Sequence, residues 1–178
     1  GFTDWLPYRL QQPLPGWRVQ RELQPELSFG RHFAPPPVTA RHAAVMVLLY
    51  PHDGELTLPL MLRRADLINH AGQISLPGGS LEIGETSDAA ALRELDEELG
   101  TMPTDIRWCG RLSSIFLFNS NFYVDAWLAT CSSRPEWQPS EAEVAELIET
   151  PLERLAEQNC RAVWTRELYS CQAEIPGI

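Results

Sequence analysis

The chain has 178 residues, enough for one domain with its own hydrophobic core. It carries 24 acidic and 14 basic residues, a net charge of −10, and every base is an arginine. Without lysine the chain cannot hold a Walker-type phosphate loop, a Schiff-base lysine or the lysine of a protein kinase. The acidic excess also argues against nucleic acid as a partner, because binding to phosphate backbones needs a basic surface.

The first 40 residues are rich in proline. This density predicts an extended arm wrapped on the domain rather than a long helix. Apolar residues that the arm could bury are Trp5, Leu6, Leu10, Leu14 and Trp17. We therefore expect a proline-rich arm over residues 1–40, packed on a domain over residues 41–178.

Residues 43–50 are apolar on both faces, which predicts a central strand. Further strands are predicted over 56–63, 73–76, 106–112 and 122–129, with a sharp break at the Pro-Gly-Gly of 77–79. Helices are predicted over 86–99 and 151–157. The order of sheet, helix, sheet, helix indicates one α/β domain with a mixed sheet.

The four cysteines form no CxxC pair, which argues against a zinc ribbon or a thioredoxin-like site. Scattered cysteines in a domain with its own core favour free thiols in the reducing cytoplasm. The longest apolar run is far shorter than the roughly 20 residues that span a bilayer. We therefore expect a cytoplasmic protein without a membrane partner.

The helix predicted over 86–99 has two distinct faces. Thr86 or Ser87 could cap its start, and Gly100 lies where a helix-ending glycine belongs. At 100° per residue, one side carries Leu92, Leu95 and Leu99, and another carries Glu94, Glu97 and Glu98. Carboxylates at this spacing repel each other, but they suit a hard divalent cation such as Mg²⁺.

The segment over residues 79–100 resembles the Nudix box. The matching residues are Gly79, Glu85, Arg93, Glu94, Leu95, Glu97, Glu98 and Gly100, and the one departure is Thr101, where the family prefers an aliphatic residue. This resemblance implies a Nudix-type α/β/α sandwich. It also implies Mg²⁺- or Mn²⁺-dependent hydrolysis of a small molecule in which a nucleoside diphosphate is linked to another moiety.

The same resemblance implies roles for individual residues. Glu94 and Glu98 would be metal ligands, with Glu97 as a third ligand and the Gly79 carbonyl as a possible fourth. Glu94 or Glu98 could also accept the proton of the attacking water. Arg93 and Glu85 would orient the loop and the carboxylates.

Residues 60–79 are similar to the segment that precedes the box in coenzyme A diphosphatases. The matches are Arg63, Gly72, Pro77, Gly78 and Gly79, and the departures are Arg64, Ile68 and Leu76. The similarity implies substrate binding by Arg63, Arg64 and Gly78. Arg64 could supply the charge that the subfamily pattern places at position 68, opposite a 3′-phosphate. Surface charge at a strand end is the alternative interpretation of Arg63 and Arg64.

The acidic stretch over residues 136–157 has two interpretations. One is an exposed loop and helix, and the other is that Glu143 or Glu146 supplies a further metal ligand or base from across the cleft. Trp108, Trp127 and Trp164 lie in strand-like segments and are predicted to be core residues. Trp137, in a polar loop, is a candidate for stacking on a nucleotide base.

Three functional hypotheses follow. The first is a metal-dependent diphosphatase of coenzyme A or its thioesters. The second is a Nudix hydrolase of ADP-ribose, a dinucleotide or a nucleoside triphosphate. The third is a non-catalytic Nudix module that binds a nucleotide, which the full set of box glutamates disfavours.

Overall fold

A computed structural model describes residues 2–20, 22, 35–67, 70–157 and, for the backbone alone, 162–168 and 171–177. The helices are α1 (Phe2–Leu10), α2 (Trp17–Gln20), α3 (Ser87–Leu99) and α4 (Leu152–Ala156). The strands are β1 (Arg41–His52), β2 (Glu55–Arg63), β3 (Ile74–Ser75), β4 (Gly78–Ser80), β5 (Arg107–Arg111), β6 (Ile115–Leu117), β7 (Phe122–Thr130), β8 (Val144–Pro151), β9 (Ala162–Leu168) and β10 (Cys171–Gly177).

The central sheet is mixed. Its main path is β3–β2–β1–β7–β5, and β4, β6 and β8 pair with β1, β7 and β2. Strand β1 runs parallel to β7 and antiparallel to β2 and β4. Strands β9 and β10 form a separate antiparallel hairpin. Strand β1 is central, with β2 and β4 on one of its edges and β7 on the other.

Helices cover both faces of β1. Ala44, Met46, Leu48 and Tyr50 point to one face, where they are fully buried with the leucines of α3. Leu49 points to the opposite face and packs with Leu6 of α1 and Leu155 of α4. The α/β/α sandwich with a mixed sheet is therefore confirmed, and so is the expectation that β1 is apolar on both faces.

Helix α3 follows the predicted pattern closely. It begins at Ser87, directly after Thr86, and ends at Gly100, whose φ of +67° is the left-handed conformation that glycine adopts without strain. Leu95 and Leu99 are fully buried. Truncating either leucine to alanine would cost about 2–5 kcal/mol of stability. This packing fixes the rotation of the helix, and with it the direction of the glutamates.

The structure corrects three expectations. Residues 2–10 form a helix despite Pro7, because Leu6 is buried in the core and tertiary packing outweighs the hydrogen bond that proline removes. Residues 144–151 form strand β8 rather than exposed loop, because β2 offers it a full ladder of partners. Trp108 is 38% exposed rather than buried, with its ring edge against Trp127.

Trp137 packs within the protein. Its ring lies 5.6 Å from that of Tyr50 in an edge-on arrangement, and its Nε1 donates to Glu149 at 3.3 Å. These contacts give the indole a structural role, and its stacking on a nucleotide base stays a prediction. The side chain of Trp164 and all of Ile68 lie outside the described residues.

In the described part of the chain, no helix has the length and apolar character needed to cross a membrane. Cys109 and Cys131 are both buried free thiols.

Candidate active site

The three box glutamates of α3 lie in three different environments. The Glu98 side chain is 2% exposed, that of Glu94 is 15% exposed, and that of Glu97 is 57% exposed. Glu98, Glu94 and Glu97 thus form a carboxylate stripe along α3, which runs from the protein interior to solvent. A group bound along it would meet Glu98 at its innermost point.

Residues of two strands bind the Glu98 carboxylate, one at each of its oxygens. Its Oε1 accepts a hydrogen bond from Nη1 of Arg63, the last residue of β2, at 2.8 Å. Its Oε2 accepts from the backbone N–H of Gly78, the first residue of β4, also at 2.8 Å. Because both oxygens are anchored, this buried carboxylate has one defined orientation.

Glu94 lies directly against the backbone of β4. A Cβ added to Gly79 would fall 2.3 Å from Oε1 of Glu94, so the absence of a side chain at Gly79 provides the space for this carboxylate. Nη1 of Arg93 donates to the same Oε1 at 2.9 Å. The carboxylates of Glu94 and Glu98 therefore both lie against the backbone of residues 78–79.

Arg93 ties the loop before α3 to the helix. Its Nε and Nη2 donate to the two carboxylate oxygens of Glu85 at 2.9 and 3.0 Å, and Nη2 also donates to the carbonyl of Ser80 at 3.0 Å. Its Nη1 reaches Glu97 at 3.0 Å. The Arg93 hydrogen bonds hold the pKa of Glu85 below its usual range. Residues 80–86 are thus fixed beside the carboxylate stripe.

Burial sets the electrostatics of the stripe. Burial and, to a smaller extent, the charge of Glu94 raise the pKa of Glu98, the Gly78 N–H and Arg63 lower it, and the net value is about 7. Burial likewise raises the pKa of Glu94, with contributions from the charges of Glu97 and Glu143 and opposition from Arg93. In these contacts five carboxylates meet only two arginines, Arg63 and Arg93, and this excess of carboxylates favours a bound cation.

A loop over residues 138–143 closes the far end of α3. The N–H of Gln138 donates to the carbonyl of Leu99, and the N–H of Ser140 donates to the carbonyl of Glu98, each at 2.9 Å. These bonds satisfy carbonyls that a helix end leaves without partners. The pattern of residues 138–143 gives no sign of this docking, although a helix that ends at residue 99 must have partners for its last carbonyls.

The docked loop, residues 138–143, also places Glu143 beside the carboxylate stripe. Its Oε2 lies 3.7 Å from Nη2 of Arg63, and its charge raises the pKa of Glu94. Glu146 lies on β8 opposite Leu62 and is exposed. Among the described residues, the Glu146 side chain has no ion-pair or hydrogen-bond partner, and Arg63 contacts Glu98 and Glu143 instead. The structure thus brings Glu143 to the stripe and leaves Glu146 outside it.

Arg64 points away from its neighbour Arg63. Its Nε and Nη2 donate to the two carboxylate oxygens of Asp66 at 2.8 and 2.7 Å, and its Nη1 donates to the carbonyl of Glu141 at 2.9 Å. This exposed ion pair lines an open surface depression of about 640 Å³ beside the docked loop. Arg63 and Arg64 are adjacent in the sequence and share one expected role, but they therefore lie in different surroundings.

The donor set suits a hard divalent cation. Across the described residues, no three side chains of His, Cys, Asp and Glu converge into a preformed metal cage. Mg²⁺ does not need one, since it is usually held by one or two carboxylates together with waters and substrate phosphates. Glu94 and Glu98, with the Gly79 backbone between them and an uncompensated negative charge, match that requirement.

Comparison with known proteins places this site in context. A family model described as NUDIX domain matches residues 40–170. The chain is similar to NudL, an uncharacterized Nudix hydrolase of Pectobacterium atrosepticum, with 36% identity over 137 residues that make up 76% of this chain and 67% of that protein. The match covers 34% of the length of Nudix hydrolase 3 of Caenorhabditis elegans and 26% of that of the chloroplastic Nudix hydrolase 22 of Arabidopsis thaliana.

Solved structures share the architecture. The Nudix hydrolase RenU of M. smegmatis superposes with a TM-score of 0.56 at 21% identity, covering 66% of this chain and 74% of that one. The Ap4A hydrolase of C. elegans superposes with a TM-score of 0.54 at 22% identity, covering 65% and 82%. At these identities the likeness concerns the fold.

Proposed function

The chain belongs to the NUDIX domain family, and from this premise we propose that it is a divalent-metal-dependent hydrolase that cleaves the diphosphate bond of a nucleoside diphosphate derivative. The observation that carries the proposal is the position of two carboxylates, the buried Glu98 and the half-buried Glu94, against the Gly78–Gly79 backbone. Two carboxylates are the number that usually hold Mg²⁺ in proteins, where waters and substrate phosphates complete its coordination.

Glu94 and Glu98 would hold Mg²⁺ or Mn²⁺, with Glu97 and the Gly79 carbonyl as further ligands. When bound, the cation would neutralise the diphosphate oxygens and the leaving group. Arg93 and Glu85 would keep the loop over residues 80–86 and the carboxylates in place. The arrangement of Arg93 between Glu85 and Glu94 supports that role.

Hydrolysis requires that the oxygen of a water molecule forms a bond to one phosphorus while the bridging P–O bond breaks. The proton of the water must pass to a carboxylate within reach, and the leaving oxygen ends as a phosphate. Glu94 and Glu98 remain the candidates for this base, and Glu143 is a third candidate because the docked loop brings it to Arg63.

For the substrate we propose coenzyme A or one of its thioesters, with 3′,5′-ADP and a phosphopantetheine as products. The resemblance over residues 60–79 supports this choice. Arg64 is the better placed of the two arginines to meet the 3′-phosphate, since an exposed ion pair with Asp66 contributes little stability and can be exchanged for a phosphate. ADP-ribose, dinucleotides and nucleoside triphosphates are the alternatives.

A substrate panel tests the proposal. Coenzyme A, an acyl-coenzyme A, ADP-ribose, a diadenosine polyphosphate and a nucleoside triphosphate are each incubated with Mg²⁺ or Mn²⁺, and the products are identified by mass spectrometry. We expect coenzyme A to give 3′,5′-ADP. Much faster turnover of ADP-ribose would exclude the coenzyme A assignment, and nucleotide binding without turnover of any substrate would indicate a non-catalytic module.

A further inference from the structure

The guanidinium of Arg63 is directed into the protein. Its side chain is 19% exposed, with Nη1 at 2.8 Å from Oε1 of Glu98 and Nη2 at 3.7 Å from Oε2 of Glu143. Its Nε is buried and has no hydrogen-bond partner. An arginine that binds a substrate phosphate must present free N–H groups to the cleft. In Arg63, Nη1 instead donates to the box glutamate Glu98, and Nη2 faces the carboxylate of Glu143.

The backbone around Arg63 is fixed on both sides. Its N–H donates to the carbonyl of Gln73 at 2.9 Å, and its carbonyl accepts from the N–H of Gly72 at 3.1 Å. The pairing of β2 with β8 is irregular between Leu62 and Arg63, where β8 contains one extra residue, Ala145. A bulge of this kind bends the sheet locally at the end of the ladder. The guanidinium is thus held in place by the fold before any ligand arrives.

The contact with Arg63 leaves Glu98 able to bind a cation. Each carboxylate oxygen has two lone pairs. Arg63 uses one lone pair of Oε1, and the N–H of Gly78 uses one of Oε2, so each oxygen keeps another. Carboxylates that bind metals are commonly oriented by hydrogen bonds of this kind.

We propose that Arg63 is a positioning residue, which fixes the carboxylate of Glu98 for a divalent cation, and that it does not bind the substrate. This inference rests on the proposed function, because it assigns Glu98 to the metal. It also assigns different roles to two adjacent arginines. Arg63 orients a glutamate of the carboxylate stripe, and the exposed Arg64 binds the substrate.

The test separates metal binding from substrate binding. Affinity for Mn²⁺ alone is measured by electron paramagnetic resonance in wild type, Arg63→Gln and Arg63→Lys. The values of kcat and KM are then measured for coenzyme A and for 3′-dephospho-coenzyme A. Arg134→Gln is the matched control, since Arg134 anchors a different carboxylate, Glu149, at 2.7 Å and touches none of the box glutamates.

We expect Arg63→Gln to weaken Mn²⁺ binding about 10- to 100-fold. The same variant should lower kcat equally for both substrates while changing KM little. Arg63→Lys keeps the charge and should recover part of both losses. Arg134→Gln should bind Mn²⁺ like wild type. Arg64→Gln provides the contrast, with a raised KM for coenzyme A and a normal affinity for Mn²⁺.

Unchanged or tighter Mn²⁺ binding in both Arg63 variants would overturn the proposal, and so would a loss confined to coenzyme A and absent for its dephospho form. Circular dichroism shows whether each variant is folded, and Arg63→Lys carries the test if Arg63→Gln is not. Failure of the wild type to cleave coenzyme A would contradict the substrate assignment alone, because the Mn²⁺ measurement uses no substrate.

Discussion

The backbone N–H of Gly78 donates a 2.8 Å hydrogen bond to Oε2 of Glu98. This bond connects the short strand before the box to the most buried carboxylate on the box helix. No side-chain substitution can remove the donor, but one at Gly78 can move it. A Cβ there would fall 2.3 Å from the carbonyl oxygen of Ala44 in β1.

Gly78→Ala and Gly79→Ala should therefore fail in different ways. At Gly78 the new methyl group meets the backbone of β1, so we expect a loss of about 1–3 kcal/mol in the free energy of unfolding. At Gly79 it meets the end of the Glu94 side chain, which can rotate away, so activity should fall with little loss of stability. Urea unfolding and kcat measure the two effects. Full activity in Gly79→Ala would contradict the placement of Glu94.

Glu98→Gln should abolish most of the activity. The amide keeps the size of the side chain, but it lacks the negative charge, and its NH₂ group must face either Arg63 or the N–H of Gly78. We expect kcat to fall by about 10²–10³ or more, a typical loss for one electrostatic group in an active site. Glu97→Gln, at an exposed position, should lose less. A Glu98→Gln enzyme as active as wild type would refute the metal-site assignment.

Stability of the metal-free protein should depend on pH through Glu98. Its pKa in the folded state, about 7, lies above the ordinary 4.5, so the folded state retains a proton that the unfolded chain releases. This contribution is complete below pH 4.5 and is lost as the pH rises toward 7. Unfolding in EDTA, compared between wild type and Glu98→Gln, isolates it. The difference should change over this window and level off above it; a flat difference would be inconsistent with the raised pKa.

Arg93 and Glu85 should behave as one unit. Lysine at position 93 cannot bond both oxygens of Glu85 and also reach Glu94, so Arg93→Lys should lose about 10- to 100-fold in kcat. Glu85→Gln should lose a similar factor. Because both changes break the same contact, the double variant should be little worse than the poorer single variant. Losses that multiply would show that the two residues act separately.

Substitutions of Glu143 and of Glu146 should differ in their effect on kcat. Glu143 lies 3.7 Å from Arg63 and influences Glu94, whereas Glu146 has no such contact within the described residues. If Glu143 is the base, Glu143→Gln should lower kcat by about 10² or more and alter the acidic limb of the pH–rate profile. Glu146→Gln should retain the wild-type rate. The reverse ranking would place the base on β8.

Much of this site was predictable because its signal is local in sequence. The leucine and glutamate faces of α3 follow from helical periodicity, and Gly100 marks the end of the helix. The mixed sheet around β1 follows from its apolar character on both faces. Glu94, Glu97 and Glu98 follow Arg93 at fixed spacings on one helix, so their positions on the helix surface can be derived from the sequence alone.

The remainder depends on contacts between distant segments. Arg63 and Arg64 are adjacent in the sequence, but Arg63 donates to Glu98 of α3 and Arg64 donates to Asp66. Residues 77–79 were predicted as a break, yet Gly78–Ser80 pairs with β1 because glycine permits the close approach. The acidic composition of 144–151 obscured strand β8. Each of these outcomes is decided by a partner far away in the chain.

The parallel pairing of β1 with β7 has a consequence for how the protein reaches its active form. Arg41 pairs with Phe122 and Leu49 with Thr130, so the entire box segment lies within the loop that this pairing closes. Contacts of such long range slow folding, because chain entropy is lost before they form. Helix α3 can form early from local interactions, whereas the cradle beneath Glu94 and Glu98 requires β1 in position. We therefore expect catalytic competence to appear in the slowest phase of refolding, after most helical structure has returned.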